Sequence, residues 1–174
     1  MRDSDVLENN PHVSRSALEA IHSQVYGWAL SRCDFEHATA EDLMQQAYVE
    51  LLSGNARFDN KSSLKTFVFS VVQNLARSRF RRLSSRLRLV KKYQVDSTEA
   101  VVDAIEPRAD DGVWRAVRAL PARKIDIIEL VFCGELTVEE ASAVMGVSTG
   151  TGRVHYDRAK KALRGRLQHW ADEK

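Results

Sequence analysis

The residues best suited to chemistry in this sequence are hydroxyl and basic side chains between residues 148 and 164. Ser148, Thr149 and Thr151 come first. A basic run then follows at helical spacing: Arg153, His155, Arg158, Lys160, Lys161 and Arg164. Hydroxyls and free N–H groups at a helix N-terminus bind phosphate, and side chains along such a helix reach base edges in the major groove. The pattern predicts a nucleic-acid-binding helix.

The elements that position this helix are indicated by the residues around it. Thr137, followed by Glu139 and Glu140, is typical of a capped helix start, and Gly146 ends that helix. Ser148 then caps a second helix. The inner face of this second helix carries Gly152, Tyr156, Ala159 and Leu163. Two helices around a tight turn form a helix-turn-helix, which presents its second helix to DNA.

A second basic region lies in the middle of the chain. No acidic residue occurs between Asp59 and Asp96. The basic residues there are Lys61, Lys65, Arg77, Arg79, Arg81, Arg82, Arg86, Arg88, Lys91 and Lys92. Aromatic side chains interleaved with arginines suit nucleic acid, because bases stack on the rings and phosphates pair with the guanidinium groups. The next segment is acidic, so we expect a polyanion-binding surface followed by an acidic linker.

Three helices are predicted before this linker. Residues 1–14 show no period and are expected to be loose, with Ser14 or a neighbour starting the first helix. Thr39 and Asp42 form a capping box at the start of the second helix, which runs to about Leu52. The polar side chains that this second helix turns outward are Glu41, Gln45, Gln46 and Glu50. The third helix begins near Leu64 and continues into the basic region.

The segment from Ser53 to Ser63 has turn chemistry and is too polar for a core, apart from Phe58. Two interpretations of this aromatic residue stay open. Its ring is either folded back as a lid or exposed as a stacking surface.

No alternation typical of strands is present, so the predicted fold class is all-α, with two small helical domains joined by an acidic linker. The expected divisions are a flexible N-terminus over residues 1–15, a first domain over 16–93, a linker over 94–111 and a second domain over 112–170. The second domain is predicted to contain four helices, the last two of which form the helix-turn-helix.

Composition excludes several classes of protein. With 44% hydrophobic and 29% charged residues, the chain is that of a soluble globular protein. No apolar run approaches the roughly 20 residues of a membrane span, and the N-terminus is no signal peptide, so we expect a cytoplasmic protein. Cys33 and Cys133 stand far apart and are expected to be small buried thiols. We expect no catalytic residue, metal or cofactor.

The order of these parts resembles a bacterial RNA polymerase sigma factor of the extracytoplasmic-function class, from Ala17 to Leu167. The motif AEDLMQQAYVELL (40–52) is similar to that family's core-binding helix, and SLKTFVFSVVQNLARSRFRR (63–82) to its promoter-melting helix. LPARKIDIIEL, followed by LTVEEASAVMGVSTGTGRVHYDRAKKAL, is similar to its upstream-element-binding domain. Two helical domains and a role in transcription initiation are what the resemblance implies.

The resemblance also implies site residues and partners. Those contacting core polymerase, through its β′ clamp helices, would be Glu41, Asp42, Gln45 and Gln46; the β flap is a further expected contact. Those holding the minus-ten element, with a base flipped from the non-template strand, would be Phe58, Leu64, Asn74, Arg77, Arg79, Arg81 and Arg82. Those at the minus-thirty-five element would be Ser148, Thr149, Thr151, Arg153, Val154, Asp157 and Arg158. An anti-sigma factor or other regulator is the remaining expected partner.

Three positions depart from the family pattern. Thr39 stands where the family has a carboxylate, which suggests the hypothesis that a phosphate on Thr39 restores the missing charge. Gly152 replaces Val or Ile, and Ser142 replaces Ala, so a thinner core is expected beneath the recognition helix.

Two functions of other classes remain open from the residues alone. A helix-turn-helix repressor or activator working without polymerase explains the basic C-terminal helix but not the basic aromatic helix after Leu64. A structural adaptor with solvated basic faces is the weaker alternative. Transcription with purified core polymerase separates all three.

Overall fold

The computed structural model describes residues 6–93 and 112–172, so the predicted linker lies outside the described residues. Within them the order is β1 (Val6–Leu7), β2 (Asn10–Ser14), α1 (Arg15–Arg32), α2 (His37–Leu52) and α3 (Leu64–Tyr93), then α4 (Gly112–Arg118), α5 (Ala122–Ile128), a π-helical turn (Glu129–Cys133), α6 (Val138–Met145) and α7 (Thr149–Asp172). The prediction of a helical, two-domain chain with a four-helix second domain is confirmed. No helix in the described ranges is long and apolar enough to cross a membrane.

The first domain packs α1, α2 and α3 around one apolar core. Trp28 on α1 stacks on Phe69 of α3 with ring centroids 5.8 Å apart, and its indole N–H donates to the Phe69 carbonyl at 3.2 Å. Leu43 and Val68 are fully buried beside them. Burial of aliphatic and aromatic side chains from three helices therefore fixes the direction of the basic helix α3.

The N-terminal segment corrects one expectation. From Val6 onward it is not loose, because β1 and β2 form a short antiparallel hairpin. Val13 is completely buried and Asn10 is 1% exposed, so the hairpin is attached to the first domain by side chains of both kinds. The sequence showed no alternation because the strands are only two and five residues long. Ser14 caps α1 as predicted, accepting from the Ala17 N–H at 3.1 Å.

The start of α2 differs from the capping box predicted at Thr39. The helix begins at His37, and its N-cap is Glu36, whose carboxylate accepts from the N–H groups of Ala38 at 3.1 Å and Thr39 at 2.6 Å. Hydrogen bonds from the Thr39 hydroxyl and N–H hold the pKa of Glu36 below its usual range. Thr39 is therefore not the cap. A phosphate there would lie against an existing carboxylate, which counts against the modification hypothesis.

The second domain contains a close approach between α6 and α7. Gly152 is buried, and a Cβ at this position would lie 1.8 Å from Ser142 Oγ and 2.9 Å from Ser142 Cβ. Ser142 is itself 1% exposed, and its hydroxyl donates to the Val138 carbonyl at 2.5 Å. The expectation of a thinner core is wrong, because the serine side chain occupies the space that the glycine leaves.

A third correction concerns the cysteines. Cys33 is half-buried and Cys133 is exposed, so neither is the fully buried thiol that the sequence suggested. Cys133 ends the π-helical turn. Phe132, which precedes Cys133 in this turn, is also 62% exposed.

The pair Ser142 and Gly152 gives the first prediction. Gly152→Ala should lower the free energy of unfolding by about 1–3 kcal/mol, as overpacking does, although alanine in an open helix position stabilises by up to about 1 kcal/mol. Ser142→Gly combined with Gly152→Ala should recover part of the loss, because the nearest remaining Ser142 atom, Cα, lies 3.6 Å from the new Cβ.

Gly165→Ala is the matched control, because Gly165 lies on the same helix with no atom near its missing Cβ. Urea denaturation of the three variants measures the effect. Equal stabilisation by both alanines would contradict the close approach.

Candidate nucleic-acid and polymerase interfaces

The helix-turn-helix is built by local hydrogen bonds in α6 and the turn. Thr137 and Glu140 form a reciprocal capping box, in which the Glu140 N–H donates to Thr137 Oγ1 at 3.2 Å and the Thr137 N–H donates to Glu140 Oε2 at 2.9 Å. Gly146 ends α6 in the left-handed region, with φ of 68°. Ser148 then accepts from the Thr151 N–H at 3.2 Å, which starts α7. The helix start at Thr137, the stop at Gly146 and the cap at Ser148 were predicted from the sequence, whereas the reciprocal bond from Glu140 was not.

The structure leaves the predicted minus-thirty-five residues on one accessible face of α7. The exposed ones are Ser148, Thr151, Arg153, Val154, Asp157 and Arg158, and Thr149 is half-buried. Val154 is 45% exposed, an apolar side chain among charged ones. In the major groove an apolar contact of this kind reads the thymine methyl group, so the face offers both hydrogen-bonding and apolar contacts.

Arg153 is paired within the protein. Its guanidinium donates to Glu139 Oε1 at 2.6 Å, and this hydrogen bond holds the pKa of the Glu139 carboxyl below its usual range. Both side chains are more than half exposed, so water and salt screen the pair and it can exchange for a base or phosphate. Sequence reasoning identified Arg153 but not its partner 14 positions earlier.

The predicted minus-ten residues fall into two groups. Asn74, Arg79, Arg81 and Arg82 are exposed along α3. Leu64 and Arg77 are half-buried, and Phe58 is only 7% exposed. The Phe58 ring packs against Phe67 with centroids 5.3 Å apart, so it lies folded back in the core, the first of the two interpretations, and presents no open stacking surface.

On α2, the side chains of Glu41, Asp42, Gln45 and Gln46 are all exposed. Val49 and Leu52 are also 57% and 51% exposed, which the sequence did not reveal. Val49 lies four positions after Gln45, so it shares the face of the amides. An exposed apolar pair beside acids and amides is typical of a protein-binding surface rather than of a solvated one.

The two domains contact each other directly, which the sequence did not predict. The guanidinium of Arg32 on α1 donates to Asp126 and, at 2.5 Å, to Glu129 in the second domain. The Arg32 side chain also lies 4.1 Å from the centroid of the Trp28 ring. All three charged side chains are at most 13% exposed. Burial raises the pKa of the Glu129 carboxyl, although the charge of Arg32 opposes that shift.

Further contacts join α3 to the helix-turn-helix. Ser63 Oγ and Thr66 Oγ1 each donate to Glu140 Oε1 at 3.1 Å, so the carboxylate of the capping box also holds the start of α3. Arg77 donates to the Met145 carbonyl at the end of α6 at 2.7 Å. Burial, followed by the charge of Arg123, lowers the pKa of Arg77. Arg77, which was predicted to contact DNA, therefore forms a hydrogen bond within the protein instead.

Comparison with known proteins agrees with this architecture. The family model for sigma-70 region 2 matches residues 17–86, and the model for sigma-70 region 4 matches residues 111–163. The fold and the two matched regions define a two-domain transcription factor of the sigma-70 type. The second matched region includes α6 and the first part of α7, and the first includes most of the basic helix α3.

Individual relatives narrow the class. The chain is 25% identical over 162 residues to the ECF RNA polymerase sigma factor SigF of Caulobacter vibrioides (strain NA1000 / CB15N), covering 93% of this chain and 89% of that protein. It is 23% identical over 143 residues to the ECF sigma factor SigW of Bacillus subtilis (strain 168), covering 74% and 75%.

Among solved structures, the fold is similar to that of the sigma factor RpoE of Bartonella quintana, determined in complex with the anti-sigma factor NepR. The TM-score is 0.69 at 21% identity, over 88% of this chain and 96% of that one.

The chain belongs to the extracytoplasmic-function (ECF) class of RNA polymerase sigma factors. As such it binds core RNA polymerase, recognises promoter elements and initiates transcription of a specific set of genes. The alternative of a repressor that acts without polymerase is not supported, because the first domain matches a sigma region rather than a dimerisation domain.

The exposed pair of Arg153 and Glu139 gives the second prediction. Arg153→Ala should reduce discrimination at one or two base pairs of the minus-thirty-five element by about 1–3 kcal/mol, because a bidentate base contact contributes that much. Glu139→Gln should raise affinity instead, since it frees the arginine and removes a charge that repels DNA. Lys161 is exposed on the same helix. Lys161→Ala should weaken binding to all DNA sequences alike and reduce the salt dependence of the affinity.

Titration of duplex variants at several salt concentrations measures these effects. If Arg153→Ala lowers the affinity for all duplex variants equally, Arg153 contacts phosphate rather than a base.

Proposed function

We propose that the surfaces described above divide the work of the sigma factor. The face of α2 with Glu41, Asp42, Gln45 and Gln46 docks on the β′ clamp helices, and Val49 supplies the apolar centre of that contact. The observation that carries this proposal is the exposure of an apolar side chain within a face of acids and amides. The second domain would lie near the β flap, where α7 meets the minus-thirty-five element.

The minus-ten roles follow from exposure. Asn74, Arg79, Arg81 and Arg82 are free to meet the non-template strand, and the loop before α3 receives the flipped base. Phe58 supports this loop from the core instead of stacking on a base. We further infer that the chain has no catalytic activity of its own and that polymerase performs the chemistry. Since core polymerase and the bacterial chromosome are cytoplasmic, the chain acts in the cytoplasm.

The third prediction tests this division. Run-off transcription with purified core polymerase on genomic fragments should yield new start sites only when the chain is added. Charge reversal at Asp42 together with Gln45→Arg, or Val49→Ser alone, should weaken core binding by about tenfold or more without unfolding α2, since the polar face is exposed.

Glu19→Arg is the matched control, because Glu19 is an exposed acid on α1. Unchanged core affinity in folded α2 variants would remove this face from the interface.

The contacts between the domains bear on promoter binding. The two promoter elements are about 25 base pairs apart, which is on the order of 80 Å along B-DNA. A closed arrangement in which α3 touches α6 cannot span this distance. We therefore propose that the domains separate when the factor acts, and that Arg32, Glu140 and Arg77 stabilise the closed form. The α2 face remains exposed in the closed form, so the factor can bind polymerase before its domains open.

The fourth prediction follows from Arg32. Arg32→Ala leaves two largely buried carboxylates unpaired, so it should favour the open form. The radius of gyration from small-angle scattering should increase, and affinity for a single-stranded minus-ten oligonucleotide should rise about tenfold for each 1.4 kcal/mol by which closure is weakened. Affinity for an isolated β′ clamp-helix fragment should not change.

Lys160→Ala removes the ion pair between Lys160 and Asp157, which spans 3.4 Å between exposed side chains, and serves as the control. An unchanged radius of gyration in Arg32→Ala would show that this ion pair does not govern closure.

A regulatory partner is the remaining proposal. Its support is that the similar RpoE of Bartonella quintana was solved with the anti-sigma factor NepR. A cleft of about 410 Å³ also lies between α1, α4 and the π-helical turn, with Trp28, Phe35 and Trp114 among its lining residues. Such an apolar cleft shared by both domains suits a partner that stabilises the closed form. The tagged chain can be captured from cells under several growth conditions. Recovery of polymerase as its sole partner in all of them would contradict this proposal.

A further inference from the structure

The N-terminal hairpin contains a buried polar group that reaches the loop between α2 and α3. Asn10 in β2 is 1% exposed, and its side-chain amide makes three hydrogen bonds to backbone. The Nδ2 group donates to the carbonyls of Leu51 and, at 3.0 Å, Ala56, and Oδ1 accepts from the Phe58 N–H at 2.9 Å. One side chain thus holds the last turn of α2 and two points of the loop.

The neighbouring residues strengthen the same joint. Asn9 donates to the Leu52 carbonyl at 2.8 Å, so two consecutive asparagines bond carbonyls in the last turn of α2. The Leu51 carbonyl also accepts from the Gly54 N–H at 3.2 Å. Gly54 has a φ of 76°, and a Cβ there would lie 2.9 Å from Asn9 Cβ. The hairpin and the loop are therefore in contact at a position that permits little displacement.

The loop held in this way has two different sides. Ala56 and Phe58 face inward, Phe58 packing on Phe67. The side chains of Asn55, Arg57, Asp59, Asn60 and Lys61 are exposed. Asn10 bonds the backbone of Ala56 and Phe58, the residues on either side of Arg57, so it fixes the direction in which Arg57 leaves the loop. The hydrogen bonds come from a segment that precedes the matched region 2, residues 17–86.

We propose that Asn10 is a positioning residue for promoter recognition: by fixing the backbone from Ala56 to Phe58 it sets the shape of the loop that receives the flipped minus-ten base, and so determines base preference there. The proposal rests on the proposed minus-ten role of this loop. Asn10 touches no DNA itself. The hairpin is therefore a functional part of the minus-ten reader and not only a cover for the first domain.

The physical reason is the cost of unpaired polar groups. Without the Asn10 amide, the Ala56 carbonyl and the Phe58 N–H lose their partner, so the loop must rearrange to reach water. A base pocket discriminates only while its donors and acceptors keep their directions. Removal of Asn10 should therefore reduce selectivity more than overall binding, because the exposed arginines of α3 still hold the strand backbone.

The test uses the full chain bound to core polymerase and a library of promoters with randomised minus-ten and minus-thirty-five elements. Bound molecules are recovered and sequenced. In Asn10→Ala the enrichment of the preferred base at one minus-ten position should fall about fivefold or more, the lower end of what one base contact contributes. Enrichment at the minus-thirty-five element should not change, which makes it an internal control for folding and assembly.

Matched variants separate the loop from the helix end. Asn9→Ala keeps the Asn10 bonds and should retain the wild-type preference. Gly54→Ala strains the same joint from the loop side and should reproduce the loss. If Asn10→Ala does not fold, Gly54→Ala, which leaves Asn10 in place, carries the same test.

The outcomes are distinct. If the unmodified chain itself enriches a minus-thirty-five sequence but no minus-ten sequence, the proposed minus-ten role is refuted, and this inference with it. An unchanged minus-ten preference in folded Asn10→Ala and Gly54→Ala would overturn the inference alone. Equal losses at both elements would show that Asn10 only stabilises the fold, and would also overturn it.

Discussion

The closed arrangement depends on one cation placed between two acids. Arg32 stacks on Trp28 in the first domain and reaches Asp126 and Glu129 in the second, with little exposure of any charged group. Burying three charges is costly unless each is paired, so in the proposed opening this cluster would be either fully assembled or separated and hydrated. A partial opening would leave carboxylates buried without a partner. The cluster therefore favours a switch between two arrangements over a gradual change in domain spacing.

The helix α3 takes part in both arrangements. One set of its residues, Thr66 and Arg77, bonds the helix-turn-helix, and Ser63 just before it does the same. Another set, which includes Arg79 and Arg82, stays exposed. Arg77 donates to the Met145 carbonyl at the end of α6, which also accepts from Arg123 at 3.4 Å. The closed form therefore uses a cation that was predicted to contact DNA to satisfy a helix terminus. The proposed opening would release that cation at the same time as it uncovers the start of α3.

Local signals in the sequence predicted local structure well. Ser14, the helix start at Thr137 with its two carboxylates, and Gly146 were identified from residue type and spacing, because each acts within about one helical turn. Thr39 was misassigned as a cap, since Glu36 lies one turn earlier and glutamate is not a favoured N-cap residue. The exposed recognition face of α7 was also predictable, because helical periodicity alone separates it from the buried side.

Contacts distant in sequence were not predictable. Asn10 bonds residues 41 to 48 positions away, and Arg32 bonds residues 94 and 97 positions away. No spacing rule links such pairs, so the hairpin, the domain interface and the inward direction of Phe58 required the structure. Phe58 illustrates the reason. The polar sequence of its loop does not reveal that the Phe58 N–H donates to an asparagine side chain in another element.

Ser142 and Gly152 are two departures from the family pattern that compensate each other. Taken separately, a serine in a core helix and a glycine inside a recognition helix each suggest a loss of packing. In the structure they are complementary, because the serine side chain fills the volume of the absent glycine Cβ and its hydroxyl is satisfied within α6. The distance between α6 and α7 is then set by this contact. Since α6 also carries Glu139, which bonds Arg153, the same contact influences where Arg153, the arginine predicted to contact DNA, lies in the free protein.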